Sequence, residues 1–408
     1  MTWSAEEALQ HWQKTKQLTA KKAAELQAAL PEQSDVMHAR AVGIFSAVGA
    51  ILVGLGIILF VASHWAELTP TLKTALLVAL TLGTGIAGYV LRYEPGNYPK
   101  TGQALFFVNV LAYGATIFLV AQIYHLPLNF WWGALLWLLG TAFFAYALQS
   151  RLHQHLAVPL LFLFLGWLRS THTANGELDF LFDDRGSIFP ICGVIGAALT
   201  GVSLLHRRVP AMRFGTQTLF HWGLFSVLLL LVISTIDKTV FFHFFQFPTD
   251  PVSLTALGIS AVTIIVSLIW GSFETGQGRG GLIVLALYLA FLWVIASLPA
   301  WMGFPLQSIE QYYGDAGPGI FTALFIVHLG LVVVFELTVI WFGTLLHRPA
   351  AINMGMAAIA FTIIIQYFSW AFGMLPRSMA FIVGGLLILA LGFALESQRR
   401  RLLTAARR

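Results

Sequence analysis

The sequence predicts an all-α polytopic membrane protein of about twelve transmembrane helices, preceded by a short cytoplasmic amphipathic helical region. Three observations predict it. Hydrophobic residues make up 58% of the 408 and charged residues only 10%, with a mean hydropathy of +0.79; soluble domains run at about 45–50% apolar and about 25% charged. Apolar runs recur almost end to end, and a spanning helix needs about 20 such residues. The Lys and Arg residues at the run ends fall on alternate sides, which sets an orientation.

Residues 1–40 are the one sizeable polar stretch. Ser4 to Glu7 reads S-A-E-E, a capping-box pattern that starts a first short helix. A second is expected over 19–30, stopped by Pro31. Trp3, Leu9, Trp12, Leu18, Leu26 and Leu30 can line an apolar side, while Lys14, Lys16, Lys21 and Lys22 make the segment basic. Two readings stand side by side: an amphipathic pair on the cytoplasmic leaflet, and a helical hairpin packed on the protein's own loops. Either leaves the segment able to recruit a protein partner. It is not a signal peptide, because about forty mostly polar residues precede the first apolar run.

Spans are expected at 41–63, 72–91, 103–124, 131–149, 155–168, 187–205, 214–236, 252–273, 282–298, 319–346, 352–375 and 378–396. The fifth is short. The run 319–346 is long and should tilt or protrude. The expected organisation is therefore 1–40 as cytoplasmic helices, 41–168 and 169–398 as two transmembrane units, and 399–408 as a basic cytoplasmic tail.

With a cytoplasmic N-terminus, the outer loops and span ends hold Lys73, Arg169, Arg185, Lys238 and Arg377, and the other 18 of the 23 basic residues lie inside. That asymmetry puts both termini in the cytoplasm. It also accounts for the net charge of +5 without nucleic acid as a partner. The partner the composition demands is the lipid bilayer. Cys192 is the single cysteine and lies in an apolar run, so no intramolecular disulfide or cysteine-based cluster can form. Of the outer segments, 176–185 is acidic, and Phe241 to Phe247 reads F-F-H-F-F-Q-F. The aromatic run is expected to anchor in the headgroup zone, or else to form a re-entrant or lid segment. Trp131 and Trp132, like His64–Trp65 at the end of the first span, read as interfacial residues.

Residues 49–73 read GAILVGLGIILFVASHWAELTPTLK. Later come AQIYHL at 121–126 and LWLLGTAFFAYALQSR at 136–151, and near the end N-M-G at 353–355, Q-Y-F at 366–368, Arg377–Ser378 and Gly384–Gly385. Together these resemble the bacterial membrane-protein family known as domain of unknown function 2157, over about 5–151 and again over about 352–403. Gln366 departs from the pattern, standing where the resemblance implies Arg. The resemblance implies a bacterial origin and a cytoplasmic (inner) membrane, and no activity or substrate.

Charged and amide side chains in the membrane mark cavities or interhelical contacts. Glu336 stands out, well inside 319–346, with His328 two turns earlier. Eight residues at about 100° each put the pair about 80° apart around the helix and about 12 Å along it, so they can line one cavity but cannot touch. Glu336 reads as a proton or cation relay, or as a carboxyl held neutral or paired in packing. Asn109, Gln122 and His125 on the third span, His221 on the seventh and Gln366 on the eleventh are candidates for the same polar interior, or for interhelical hydrogen bonding. Arg377 opens the last span on the outer side, as a snorkelling anchor or a binder of an anionic group. Ser46, Ala50 and Gly54 form a small-residue stripe suited to close helix packing.

No P-loop, H-E-x-x-H or G-x-S-x-G occurs. No catalytic residue, cofactor or metal site is expected; the lone pair His153 and His155 is too little for a metal. The function the sequence favours is that of a transporter-like or flippase-like protein with a polar intramembrane cavity, taking a small-molecule or lipid-linked substrate. The alternatives are a non-catalytic membrane scaffold or sensor, and an intramembrane enzyme acting on a lipid-linked substrate.

Overall fold

Proline sets many of the helix starts. In the computed structural model, Pro70, Pro99, Pro251 and Pro349 each occupy the first residue of a long helix, and Pro210 opens a 3-10 turn. Proline suits that place because its missing N–H would have no partner there and its φ is already helical. The structure describes residues 12–13, 15, 18–19, 21–23, 25, 65–94, 98–126, 130–173, 189–244, 250–271, 276–301, 319–374 and scattered positions between 382 and 392. Among these there is no strand.

The helices are α1 (Pro70–Tyr93), α2 (Pro99–Ile123), α3 (Phe130–Ala147), α4 (Arg151–Thr173), α5 (Phe189–His206), α6 (Thr216–Ser234), the short α7 (Lys238–Phe244), α8 (Pro251–Trp270), α9 (Gly276–Trp301), α10 (Gly319–Leu345) and α11 (Pro349–Met374). Apart from α7, each coincides with one of the expected spans. Eight described helices are long and apolar enough to cross a membrane. The runs 41–63 and 378–396 lie wholly or largely outside the described residues. Helix α4 carries Arg151, His153, Gln154, His155 and Arg169, and α5 is short.

Helix ends follow a repeated device. His125, Gln149 and His347 have φ of 49°, 48° and 50°, the left-handed region that glycine normally fills. Each sits in a Schellman turn. The N–H of the following residue reaches back to a carbonyl in the last turn: Leu126 to Ala121 at 2.9 Å, Ser150 to Ala145 at 2.9 Å, Arg348 to Gly343 at 2.8 Å. These bonds satisfy carbonyls that a helix terminus leaves open.

The chain divides into two compact units, Met1–Lys73 and Thr74–Arg408. In the first, Ala23 is buried, Trp12 is exposed, and an exposed Lys22–Glu25 pair spans 3.0 Å. Trp65 opens a 3-10 turn, Trp65–Glu67, and Lys73 lies over its ring at 5.5 Å. The capping box at 4–7, His64 and the stripe of Ser46, Ala50 and Gly54 lie outside the described residues.

In the second unit, helices cross where glycines remove side-chain bulk. A Cβ on Gly196 of α5 would come within 2.8 Å of the Gly223 carbonyl oxygen, and one on Gly223 of α6 within 2.5 Å of that of Gly196. Gly88 of α1 and Gly102 of α2 meet the same way, at 3.2 and 2.8 Å. Close backbone approach of this kind drives helix association where lipid leaves no hydrophobic incentive between helices. The main apolar core gathers Val227, Leu231, Leu285, Leu289, Val332 and Phe335 from α6, α9 and α10.

Candidate functional site

A polar seam runs through that core. Helix α10 is 27 residues long, and its only ionisable side chains besides His328 come down to Glu336. Both are fully buried. The tight turn after α10 lays α11 back along it, which brings Glu336 against Thr362. The Thr362 hydroxyl donates to Glu336 Oε1 at 2.8 Å. Glu336 Oε2 is buried without a hydrogen-bond partner, as is the Tyr288 hydroxyl of α9, which lies within electrostatic reach of the carboxyl. The Tyr288 ring stacks on Phe335 at 4.6 Å. Among the described residues no basic side chain is within ion-pair distance of Glu336.

One turn beyond Thr362 on the same face of α11 is Gln366. Its amide donates to the Thr235 carbonyl at the end of α6. The neighbouring Ser234 hydroxyl donates to Leu231 O at 2.6 Å and sits 2.9 Å from His328 Nε2. A hydroxyl has one proton to give, so this geometry assigns the imidazole proton to Nε2, which donates to Ser234 Oγ. His328 Nδ1 has no hydrogen-bond partner. Three separate polar contacts, Thr362 with Glu336, Gln366 with Thr235 and Ser234 with His328, thus succeed one another along α10, with Glu336 and His328 about 12 Å apart.

The short helix α7 covers the His328 end. Phe241 and Phe242 are fully buried in the protein core, so these two members of the aromatic run face inward and do not anchor in the headgroup zone. Residues 245–247 of that run lie outside the described residues.

The other expected site residues are elsewhere. Gln122 and His125 are exposed at the end of α2; the His125 ring meets the Gln122 carbonyl at 3.0 Å as part of the helix-ending turn. Asn109 is buried and donates to the Thr81 carbonyl, and also to Thr84 Oγ1 at 3.4 Å, tying α2 to α1. His221 is half-buried on α6, within electrostatic reach of His155, Arg348 and Arg151. Trp131 and Trp132 stack at 4.2 Å at the start of α3. Arg377 lies outside the described residues. His153 bonds Ser150 Oγ at 2.8 Å, and His155 accepts the Trp222 indole N–H at 3.0 Å, so the two histidines serve different partners.

Sequence reasoning missed one buried ion pair. Arg169 Nε lies 3.1 Å from Asp250 Oδ2 and is nearly fully buried, as is Asp250. Asp250 also caps α8, accepting the Ser253 N–H at 2.8 Å. Burial pushes its carboxyl up, but the Ser253 hydroxyl and N–H together with Arg169 outweigh that and hold it below the usual range. The D-P-V-S pattern at 250–253 was a legible capping signal; the arginine 81 residues away was not.

Residues 10–154 match the model of a family described as a predicted membrane protein, DUF2157. The match covers α1 to α3 and the first residues of α4, and not the seam. No curated protein and no solved structure matches the chain. Several apolar helices long enough to span, joined to that match, make the chain a multi-pass membrane protein.

Proposed function

We propose that the chain is a transporter-like protein of a bacterial cytoplasmic membrane, with about twelve spans, both termini cytoplasmic, and Glu336 as its proton-carrying group. One observation carries this: a fully buried carboxyl in a spanning helix, hydrogen-bonded through one oxygen by Thr362 and, among the described residues, with no basic side chain at ion-pair distance. An ionised carboxylate so placed is costly, so Glu336 holds a proton here. Taking up and releasing that proton requires the seam to open, which is how a buried carboxyl couples proton movement to a conformational cycle. The substrate is a small molecule or a lipid-linked intermediate.

The orientation follows from the basic residues at the span ends. A cysteine at Asn175, in a Cys192→Ala background, is expected to react with an impermeant maleimide from outside intact cells; reaction only after permeabilisation would overturn it.

Two measurements test the site. In the purified protein, infrared difference spectra across a pH titration should contain a protonated carboxylic-acid band that is lost in Glu336→Gln. In proteoliposomes, proton uptake driven by an imposed potential should be present in the wild type and absent in Glu336→Gln with the fold retained. Equal flux in both would reject the relay.

A further inference from the structure

Among α5, α6, α9 and α10 lies a partly open pocket of about 130 Å³. Its walls are apolar: Leu204, Leu224, Leu282, Leu285, Phe335 and Val339. Two arginines, Arg207 and Arg348, line the same pocket. The chain holds both at one end. Arg207 directly follows the last residue of α5, and Arg348 closes the Schellman turn after α10, its N–H on the Gly343 carbonyl. The Arg348 guanidinium lies over the Phe220 ring, 4.7 Å from its centre.

The pocket has a consistent depth axis. Arg207, Phe220, Gly281 and Leu346 sit at the helix ends that the charge asymmetry assigns to the cytoplasm. Thr200, Leu224, Leu285 and Phe335 lie deeper on the same four helices. From Leu346 down to Phe335 is about 16 Å of helix. One further cation stands near the shallow end: Arg151, like Arg348, is within electrostatic reach of His221 on α6.

A small aqueous anion gains nothing from the apolar slot. A neutral apolar solute gains nothing from the arginines. An amphiphile with an anionic head uses both, and basic pockets between helices on the cytoplasmic side suit anionic lipid headgroups. An apolar cavity of about 150 Å³ takes one benzene-sized group, so this space admits a run of roughly five or six methylene-sized groups, one stretch of an acyl chain.

We propose that this groove binds one anionic phospholipid of the inner leaflet, its phosphate at Arg207 and Arg348 and one acyl chain between α9 and α10. The proposal goes beyond the Glu336 reading and does not depend on it, since none of the seam residues lines the groove; only the choice of leaflet rests on the orientation proposed above.

The test uses the purified full chain in neutral detergent. Phosphatidylglycerol, phosphatidylcholine with the same acyl chains, and inorganic phosphate are added separately, and binding is read by native mass spectrometry and by the shift in unfolding temperature. Phosphatidylglycerol should give one tightly retained lipid and a rise in unfolding temperature; the other two should give neither. Arg207→Gln with Arg348→Gln should weaken that binding at least tenfold. Val339→Trp, which fills the slot and leaves the arginines in place, should weaken it comparably. Equal binding of both lipids, a full effect from phosphate alone, or retention of phosphatidylglycerol by both variants would each overturn the proposal. A double-arginine variant that does not fold leaves Val339→Trp to decide.

Discussion

The imidazole of His328 lies flat against the Phe241 ring, with centroids 3.9 Å apart and planes 12° apart. The contact joins the short α7 to the middle of the bundle. It covers one face of a histidine whose edge is held by Ser234. A buried histidine in this setting is fixed in tautomer and orientation, and Phe241 contributes to both. Truncation to Phe241→Ala should cost about 3–5 kcal/mol, the usual loss for a buried phenylalanine. Thermal unfolding in detergent checks this; a change under about 0.5 kcal/mol, as for a surface site, would refute the packing role.

Thr362→Val keeps shape and removes the hydroxyl that donates to Glu336. It is expected to destabilise the protein by about 1–3 kcal/mol, the cost of leaving a buried acceptor unsatisfied. Thr362→Ser should be close to neutral. If Val and Ser behave alike, the hydrogen bond contributes nothing.

The Arg169–Asp250 pair predicts an acid-dependent loss of stability. The Asp250 carboxyl is held below its ordinary value near 3.8 in the folded protein. Its contribution is therefore complete above that value and declines as pH falls below it, through the lower folded value. Asp250→Asn should flatten that acid limb. Arg169→Met, which leaves the carboxylate buried and unpaired, should cost about 3–5 kcal/mol at neutral pH.

Gln149 is exposed and sits at φ 48°. Replacement by glycine relieves a backbone cost of about 1–2 kcal/mol, partly offset by glycine's extra freedom in the unfolded chain. Gln149→Gly should raise the unfolding temperature and Gln149→Val should lower it. The reverse order would mean that the side chain makes a contact worth more than the strain.

Gly223→Val places a side chain where the Gly196 carbonyl oxygen lies 2.5 Å from the new Cβ. Overpacking of this kind costs about 1–3 kcal/mol or more. Loss of the folded protein in size-exclusion chromatography is the expected result.

Much of the fold could be read from the chain because a membrane leaves few options. A run of about 20 apolar residues has to become a helix, since its backbone can find hydrogen bonds nowhere else. Ten expected spans coincide with α1 to α6 and α8 to α11 for that reason. The burial of Glu336 follows from the same cost. Its partner does not, because a threonine in an apolar helix carries no mark of which neighbour it will face. The left-handed residues at His125, Gln149 and His347 were hidden because glycine is the usual sign of that turn. Gln122 and His125 looked like members of a polar interior by spacing alone. Spacing fixes a helical face but not what that face meets, and here it meets the outside of α2. Arg169 counted only as an outer positive charge; a partner 81 residues away has no local signature.

Thr362 and Gln366 stand one helical turn apart, and Glu336 faces the first of them. Sliding α11 along α10 by one turn, about 5.4 Å, would present the carboxyl with either the Gln366 amide or Ala358. One direction exchanges a hydroxyl donor for an amide donor; the other strands the carboxyl against a methyl group. Neither register matches the present one. The slide toward Gln366 takes that amide from the Thr235 carbonyl and brings Ile359 to the place of Gly355, where even a Cβ would lie 2.8 Å from Ile340. The Thr362 donor and the bare Gly355 together fix the α10–α11 register.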